Sequence, residues 1–205
     1  MTKRIAITQR IDDLPDRNER RDSLDQRLPQ MIREMGYMPL PVPNCLEKDG
    51  DTRQWLENLD IKGIILSGGN DIGQYENRDK TEQNILSWAI ERKTPVLGIC
   101  RGMQMIAVHY GTSLKPVEGH VRARHVLTGT INRTVNSYHN FSIETLPPSF
   151  EALAFSEDGE IEAIEHKSLP LKGWMWHPER EERYLEQDNP DLQEMAAFFN
   201  QRERA

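Results

Sequence analysis

Residues 95–111 read PVLGICRGMQMIAVHYG, and the rest of the chain is arranged around them. Pro95 to Ile99 is a short apolar run containing Val96 and Ile99, the composition of a buried strand. Met103, Ile106 and Ala107 follow at helical spacing, with Tyr110 a turn later and Gly111 as a natural stop. Between strand and helix stands Gly98-Ile99-Cys100-Arg101-Gly102. A residue wedged there must turn sharply, and small neighbours on both sides let the turn close. This is the pattern of a nucleophile elbow with Cys in place of the commoner Ser. It lifts the sulfur of Cys100 out of the sheet and sets it against the positive end of the following helix, which favours thiolate over thiol. Taken alone, the same five residues equally describe a buried structural Cys.

Working outward, the N-terminal half alternates apolar strands with helices. Arg4 to Thr8 is a first strand that ends in Gln9-Arg10, where the loops of an open parallel sheet line a ligand crevice. Arg10 is therefore either a substrate contact or a solvated surface residue. Asp12 to Asp22 is charged and short of apolar residues, and reads as an exposed loop. A helix from about Asp25 presents Leu28, Met31, Ile32 and Met35 on one face and stops at Gly36. Cys45 lies in a loop and reads as structural. Thr52 to Leu59 is a brief helix, and Ile61 to Leu66 a buried strand that runs into Ser67-Gly68-Gly69-Asn70-Asp71. Consecutive glycines after a parallel strand can present backbone N–H groups as an anion nest, or simply make a tight turn. Asp79 to Arg92 is a helix with Ile85, Trp88, Ala89 and Ile90 inward. This alternation indicates an α/β fold with a parallel sheet covered on both faces.

After Gly111 the helical period disappears. Phe150 to Phe155 and Glu160 to Glu165, around Asp158-Gly159, read as a hairpin on the far side of the sheet. Trp174-Met175-Trp176 is a last strand, ending at His177-Pro178-Glu179-Arg180, and Asp191 to Arg202 is a closing helix with Leu192, Met195, Ala196 and Phe199 inward. A thiol needs a base, and the base needs orienting. Pro178 fixes the backbone between His177 and Glu179, so an imidazole and a carboxylate share one rigid strand end.

The 205 residues suit one α/β domain spanning 1–205. A net charge of −7 with no basic tract argues against nucleic acid as the partner. The two cysteines form neither a disulfide framework nor a CxxC metal site. The N-terminal MTKRIAITQRIDD turns polar too soon for a signal peptide, and no apolar run is long enough for a bilayer. A cytoplasmic setting is expected, where a reactive thiol stays reduced. His120, His125 and His139 match no standard zinc spacing; His139 reads as pocket lining and the other two carry no assignment. His109 reads as structural, and His166 with Lys167 as weakly placed at the mouth of the site.

These residues resemble the class I glutamine amidotransferase-like superfamily. Gly98-Ile99-Cys100-Arg101-Gly102-Met103-Gln104 matches its G-x-C-x-G-x-Q elbow, and Trp176-His177-Pro178-Glu179 its W-H-P-E ending. The resemblance covers nearly the whole chain. It implies a flavodoxin-like three-layer sandwich with a mostly parallel central sheet. It also implies a Cys100, His177, Glu179 triad, an oxyanion hole from the backbone N–H groups of Gly69 and Arg101, and a glutamyl contact at Gln104. No metal or organic cofactor is implied.

Cys100-Arg101-Gly102, Asn136-Ser137-Tyr138-His139 and Ile161-Glu162-Ala163-Ile164-Glu165 resemble the γ-glutamyl hydrolase (peptidase C26) branch. Ile7-Thr8-Gln9-Arg10, Ser67-Gly68-Gly69-Asn70-Asp71 and Met175-Trp176-His177-Pro178-Glu179-Arg180-Glu181 are similar to its small γ-glutamyl-CDP-amidate hydrolases of capsule phosphoramidate biosynthesis. That resemblance implies cleavage of a γ-glutamyl amide to L-glutamate, with Gly68, Asn70, Arg10, Ser137, Tyr138, His139 and Arg180 near the substrate. Arg10, Arg180 and Lys167, then Arg20, Arg21 and Arg124, are the candidate cations for a nucleotide leaving group. Arg101 either steers an anion or packs as a helix N-terminal residue. Tyr138-His139-Asn140-Phe141 departs from the Asn-His-Gly-Phe common in glutaminase subunits, which argues mildly against plain glutamine. The expected partners are a small γ-glutamyl molecule and water, with neither nucleic acid nor membrane. The oligomeric state is open, and a homodimer is compatible with it. A γ-glutamyl-γ-aminobutyrate hydrolase, a glutaminase subunit of an amidotransferase and a non-enzymatic relative are the competing readings.

Overall fold

Apolar strands that must be buried on both faces need helices on each side. A computed structural model, describing residues 3–200, shows how the chain supplies them. In chain order come β1 (Arg4–Ile7), β2 (Arg10–Leu14), β3 (Glu19–Ser23), α1 (Arg27–Glu34), β4 (Met38–Pro41), α2 (Asp49–Asn58), β5 (Ile61–Leu66), α3 (Glu76–Arg92), β6 (Val96–Ile99) and α4 (Arg101–His109). They are followed by β7 (Leu114–Pro116), β8 (Val121–Val126), β9 (Thr128–Gly129), β10 (Thr134–Tyr138), β11 (Phe141–Ile143), β12 (Phe150–Phe155), β13 (Ile161–His166), β14 (Leu171–Trp174) and α5 (Pro190–Asn200). The main sheet has eight strands in the order β4-β1-β5-β6-β14-β13-β12-β9. The five from β4 to β14 are parallel and the last three antiparallel.

Strand alternation divides the interior into two cores. Ile5, Ile7, Ile65, Leu97 and Ile99 point to one face, where Leu28, Met31 and Ile32 of α1 and Leu192, Met195, Phe198 and Phe199 of α5 cover them. Ala6, Ile64, Leu66 and Val96 point to the other, under Leu56 of α2, Ile85 and Ala89 of α3, and Met103, Ile106 and Ala107 of α4. The result is a three-layer α/β sandwich with a mostly parallel sheet. Helix ends follow local chemistry. Asp25 Oδ1 accepts the Arg27 N–H at 3.1 Å at the start of α1. Pro29 sits in the first turn, where no N–H is required. Gly36 takes the left-handed conformation that ends the helix (φ 84°).

Several expectations need correction. Asp12 to Asp22 is not a loop but lies in the β2–β3 hairpin, whose register pairs Asp13 with Arg20 in a 2.9 Å ion pair. Its strands carry charge where strands usually carry alternating apolar residues, so no periodic signal marks them. Cys45 is a free, exposed cysteine rather than part of the buried core. The last strand begins at Leu171 and ends at Trp174, so Met175 and Trp176 follow it rather than form it. In α5, Ala196 is only half-buried and Phe198 takes the inner position; Arg202 lies outside the described residues. Ile90 is likewise only half-buried. His166 and Lys167 sit at the end of antiparallel β13 that lies beside Leu171, the start of β14. Cys100 and His177 follow the opposite ends of β6 and β14, so His166 and Lys167 do not face the site. His166 packs instead on Tyr110 and Phe150, and Lys167 Nζ donates to the Pro148 carbonyl at 2.7 Å.

Candidate active site

Cys100 stands between β6 and α4 with φ 52° and ψ −107°. A non-glycine residue held there stores roughly 1–3 kcal/mol of backbone strain, which the surrounding packing must hold. The flanking glycines are required by close approach. A Cβ on Gly98 would lie 2.5 Å from the Met103 nitrogen, and one on Gly102 would collide with the Leu66 carbonyl. Cys100 N–H donates to the Trp174 carbonyl at 2.7 Å, tying the turn to β14. The strand that carries the thiol is thereby registered to the strand that leads to the histidine.

His177 is held from three sides. Asn136 on β10 clasps its backbone, accepting the His177 N–H at 3.0 Å and donating to the His177 carbonyl at 2.7 Å. Pro178 opens a 3₁₀ turn over Pro178–Arg180 that swings Glu179 back beneath the ring. His177 Nδ1 donates to Glu179 Oε1 at 2.8 Å, which leaves Nε2 for the thiol. Burial alone would pull the imidazolium down, but Glu179 and the adjacent, hydrogen-bonded Cys100 outweigh it and raise the His177 pKa to about 9. The imidazole is thus poised to stay protonated beside a sulfur at neutral pH.

The glycine loop closes the other side. A Cβ on Gly68 would lie 2.6 Å from His177 Cε1 and 3.5 Å from Cys100 Cβ. Fully buried Arg78, from α3, grips the carbonyls of this loop. Its guanidinium donates to Ser67 O at 2.9 Å, to Gly68 O at 3.1 Å and to Gly69 O. In a trans peptide the C=O and the next N–H point opposite ways. With the Gly68 carbonyl drawn into the protein by Arg78, the Gly69 N–H is turned away from it. Arg101 begins α4, so its backbone N–H is one of the helix's unpartnered donors. Its side chain is buried against Asp79 and Glu82. Of the two readings of Arg101, the structure supports helix packing and removes the side chain from anion steering.

The remaining candidates separate. Arg10, Gly68, Gly69, His177, Glu179 and Arg180 line one narrow cleft with Asp25 and Leu28. Arg10 is exposed and paired with Asp12 at 2.8 Å, while the Arg180 guanidinium lies 4.6 Å above the Tyr138 ring. Tyr138 itself meets the His177 ring edge-on at 5.8 Å. Asn70 is engaged elsewhere: its amide exchanges hydrogen bonds with the Ile11 backbone at 2.7 and 3.0 Å, docking the β2–β3 hairpin. Buried Ser137 donates to the His120 carbonyl at 2.7 Å. Gln104 Nε2 donates to the Phe141 carbonyl at 2.8 Å. His139 is buried and turns to His120 rather than to the cleft. Arg20, Arg21 and Arg124 are exposed and paired with Asp13, Glu19 and Glu181.

Sequence reasoning missed Asn136 as the clamp on His177, and the buried Arg78–Glu82 pair behind the glycine loop. Arg78 and Glu82 lie 3.2 Å apart with both side chains fully buried. Burial pushes the Glu82 carboxyl up, but Arg101 and Arg78 outweigh it and hold it below the ordinary carboxylate range. Burial lowers Arg78 to about 10, leaving it charged at neutral pH. A signal was present: residues 78, 82, 85 and 89 share the i, i+4, i+7, i+11 stripe on which Ile85 and Ala89 face the core.

The chain matches the family model described as glutamine amidotransferase class-I over residues 19–190. It is 36% identical over 186 residues to the gamma-glutamyl-CDP-amidate hydrolase of Campylobacter jejuni, covering 86% of this chain and 90% of that one. It is 31% identical over 163 residues to the glutamine-hydrolyzing GMP synthase subunit of Methanocaldococcus jannaschii, covering 75% and 81%. Among solved structures, a protein from Thermoplasma acidophilum described as a GMP synthase subunit superposes with a TM-score of 0.76 at 21% identity, covering 100% of this chain and 97% of that one. With this match, the elbow at Cys100 and the shared three-layer fold, the chain belongs to the class I glutamine amidotransferase family.

Proposed function

We propose that this protein is a stand-alone γ-glutamyl amide hydrolase with Cys100 as nucleophile, and that its substrate is a γ-glutamyl nucleotide phosphoramidate of the γ-glutamyl-CDP-amidate type. The observation that carries the reading is His177, held by Glu179 and Asn136 with its Nε2 left to Cys100. In the proposed reaction the Cys100 thiolate adds to the γ-carbonyl, and the oxyanion is received by the Gly69 and Arg101 N–H groups. Removing one such donor typically costs ~10²–10³ in rate. The C–N bond breaks as His177 passes its proton to the leaving nitrogen. This leaves a γ-glutamyl thioester on Cys100. Water then gives a proton to His177 and attacks the thioester, releasing glutamate and restoring the thiolate–imidazolium pair. Glu179 keeps the ring in the required tautomer and stabilises its charge. Arg10 and Arg180, on the same cleft, are the cations for a diphosphate leaving group. An unpaired reactive thiol suits a reducing, cytoplasmic compartment.

A second reading, a glutaminase subunit that passes ammonia to a partner, is favoured by the likeness to the glutamine-hydrolyzing GMP synthase subunit. Glutamate release from γ-glutamyl-CDP-amidate, γ-glutamyl-γ-aminobutyrate and glutamine separates the readings. Turnover confined to the nucleotide compound, and lost in Cys100→Ala, is the expected result. Preference for the γ-aminobutyrate compound keeps the mechanism and discards the nucleotide. Turnover of glutamine alone supports the glutaminase reading.

A further inference from the structure

Beside the cleft, on the ribbon that carries Asn136, three histidines and a glutamate converge. His120 immediately precedes β8, His125 lies within it, His139 follows β10, and Glu162 projects from β13 of the main sheet. All four are buried, Glu162 completely. Each offers one ligand atom, and these atoms lie within 4.8 Å of one another. Three of the separations are shorter: His120 Nδ1 to His139 Nε2 is 3.2 Å, His139 Nε2 to Glu162 Oε1 is 3.3 Å, and His120 Nδ1 to Glu162 Oε1 is 3.5 Å. Ligands about 2.0–2.1 Å from a tetrahedral ion stand roughly 3.3–3.4 Å apart along each edge. The three distances form one face of such a tetrahedron.

Counting protons gives the same answer. His139 Nδ1 faces the Phe141 carbonyl at 3.0 Å, and a carbonyl only accepts, so Nδ1 carries the hydrogen. His120 Nε2 faces the Asp158 carboxylate at 2.8 Å and carries its hydrogen by the same reasoning. When both rings are neutral, their other nitrogens present lone pairs to each other and to Glu162. Both Glu162 carboxylate oxygens and His125 Nε2 are buried with no hydrogen-bond partner among the described residues. Buried acceptors facing one another need a cation between them. One shared proton serves one pair, whereas a metal ion serves all four groups at once. Asp158 and the Phe141 carbonyl are the outer partners that metal-bound histidines characteristically have. The His120 carbonyl, held by Ser137 Oγ at 2.7 Å and the His139 N–H at 3.1 Å, fixes the two rings beside each other.

We propose that His120, His125, His139 and Glu162 form a four-coordinate site for a first-row divalent metal ion, best suited to Zn²⁺. Four protein ligands in a buried setting close the coordination sphere, which makes the ion structural rather than catalytic. It pins the β8–β10 ribbon to β13. Because β10 carries Asn136 and Tyr138, the same pin steadies the backbone and ring of His177. His120 and His125 share the β8 segment at H-x4-H spacing, but His139 at the end of β10 and Glu162 on β13 join them only through tertiary pairing, which is why the full set matches no linear zinc motif.

The test uses the full chain, stripped with a chelator and titrated with Co²⁺ and Zn²⁺. The expected result is one equivalent bound per chain, with visible d–d bands of tetrahedral Co²⁺ that Zn²⁺ abolishes. A hundredfold excess of Zn²⁺ over its Kd raises the unfolding midpoint by roughly 5–10 °C. Glu162→Gln, which keeps the side-chain shape, and His125→Ala lose the bands and the shift while retaining native far-UV circular dichroism. Cys100→Ala keeps both. Binding of well under one equivalent with no Zn²⁺-dependent rise in wild type overturns the proposal and leaves a proton-sharing network. Loss of the Co²⁺ bands in Cys100→Ala overturns it too, by moving the ion to the thiol. The midpoint shift in wild type decides the matter even where a variant fails to fold.

Discussion

Gly68→Ala is the most informative single change at the candidate active site. Gly68 does not need glycine for its backbone, since its φ lies outside the left-handed region. It needs glycine because a Cβ would lie 2.6 Å from His177 Cε1, whereas ordinary contact begins near 3.4 Å. The imidazole must retreat by about 0.8 Å or the loop must give way. The loop is held by three hydrogen bonds to buried Arg78, and His177 by Asn136 and Glu179, so neither moves freely. Overpacking of this kind costs about 1–3 kcal/mol of stability. A misplacement near 1 Å of a reacting group costs roughly 10²-fold in rate. The expected result is a drop in kcat/KM for glutamate release of roughly two orders of magnitude, with a cooperative unfolding transition retained. Wild-type kcat/KM in a folded Gly68→Ala variant would refute the placement of His177 against this loop.

Further outcomes follow from the same geometry. The alkaline limb of kcat/KM should fall near pH 9, where His177 of the free protein loses the proton that the proposed reaction passes to the leaving nitrogen. A pH profile of Glu179→Gln should move that limb to lower pH, because burial already pulls the group down and Glu179 is the largest influence raising it. The folded pKa lies above the ordinary value of 6.5, so His177 contributes stability that is fully present below pH 6.5 and is lost as pH rises through about 9, a loss that denaturation across that window detects. Glu82→Gln leaves Arg78 and Arg101 short of their shared buried counter-charge; the expected cost is about 3–5 kcal/mol, read as a fall of roughly 6–20 °C in Tm. Asn136→Ala removes both hydrogen bonds to the His177 backbone and should lower kcat more than it raises KM, measured in the same glutamate-release assay.

The parts of the molecule that sequence reveals are those whose chemistry is local. The Cys100 elbow announces itself because Gly98 and Gly102 flank it at fixed spacing, and His177 and Glu179 because Pro178 joins them at a strand end. The strands β1, β5 and β6 are continuous apolar runs and the helices after them carry apolar residues at helical spacing, so the two-faced sheet is legible as well. The β2–β3 hairpin is not, because its one fully buried apolar residue, Ile11, stands among charged residues, and Asn70 and an exposed ion pair supply the other ties. Arg78 and Glu82 hide on the inward stripe of α3, where charge is read as surface until a partner is known. Asn70 looks like part of a ligand loop but spends its amide on Ile11. His120, His125, His139 and Glu162 become neighbours only through the pairing of β8 with β10 and the approach of β13, information that no local spacing contains.

The proposed chemistry requires Cys100 to form a thioester with the γ-glutamyl group. Rapid quenching of the enzyme with γ-glutamyl-CDP-amidate, followed by mass spectrometry of the peptides, tests this directly. The predicted result is a γ-glutamyl adduct on the peptide containing Cys100 that appears and decays within turnover, is absent in Cys100→Ala, and persists longer in His177→Ala if it forms there. Glutamate release that survives in Cys100→Ala, or an adduct on any other residue, would contradict it.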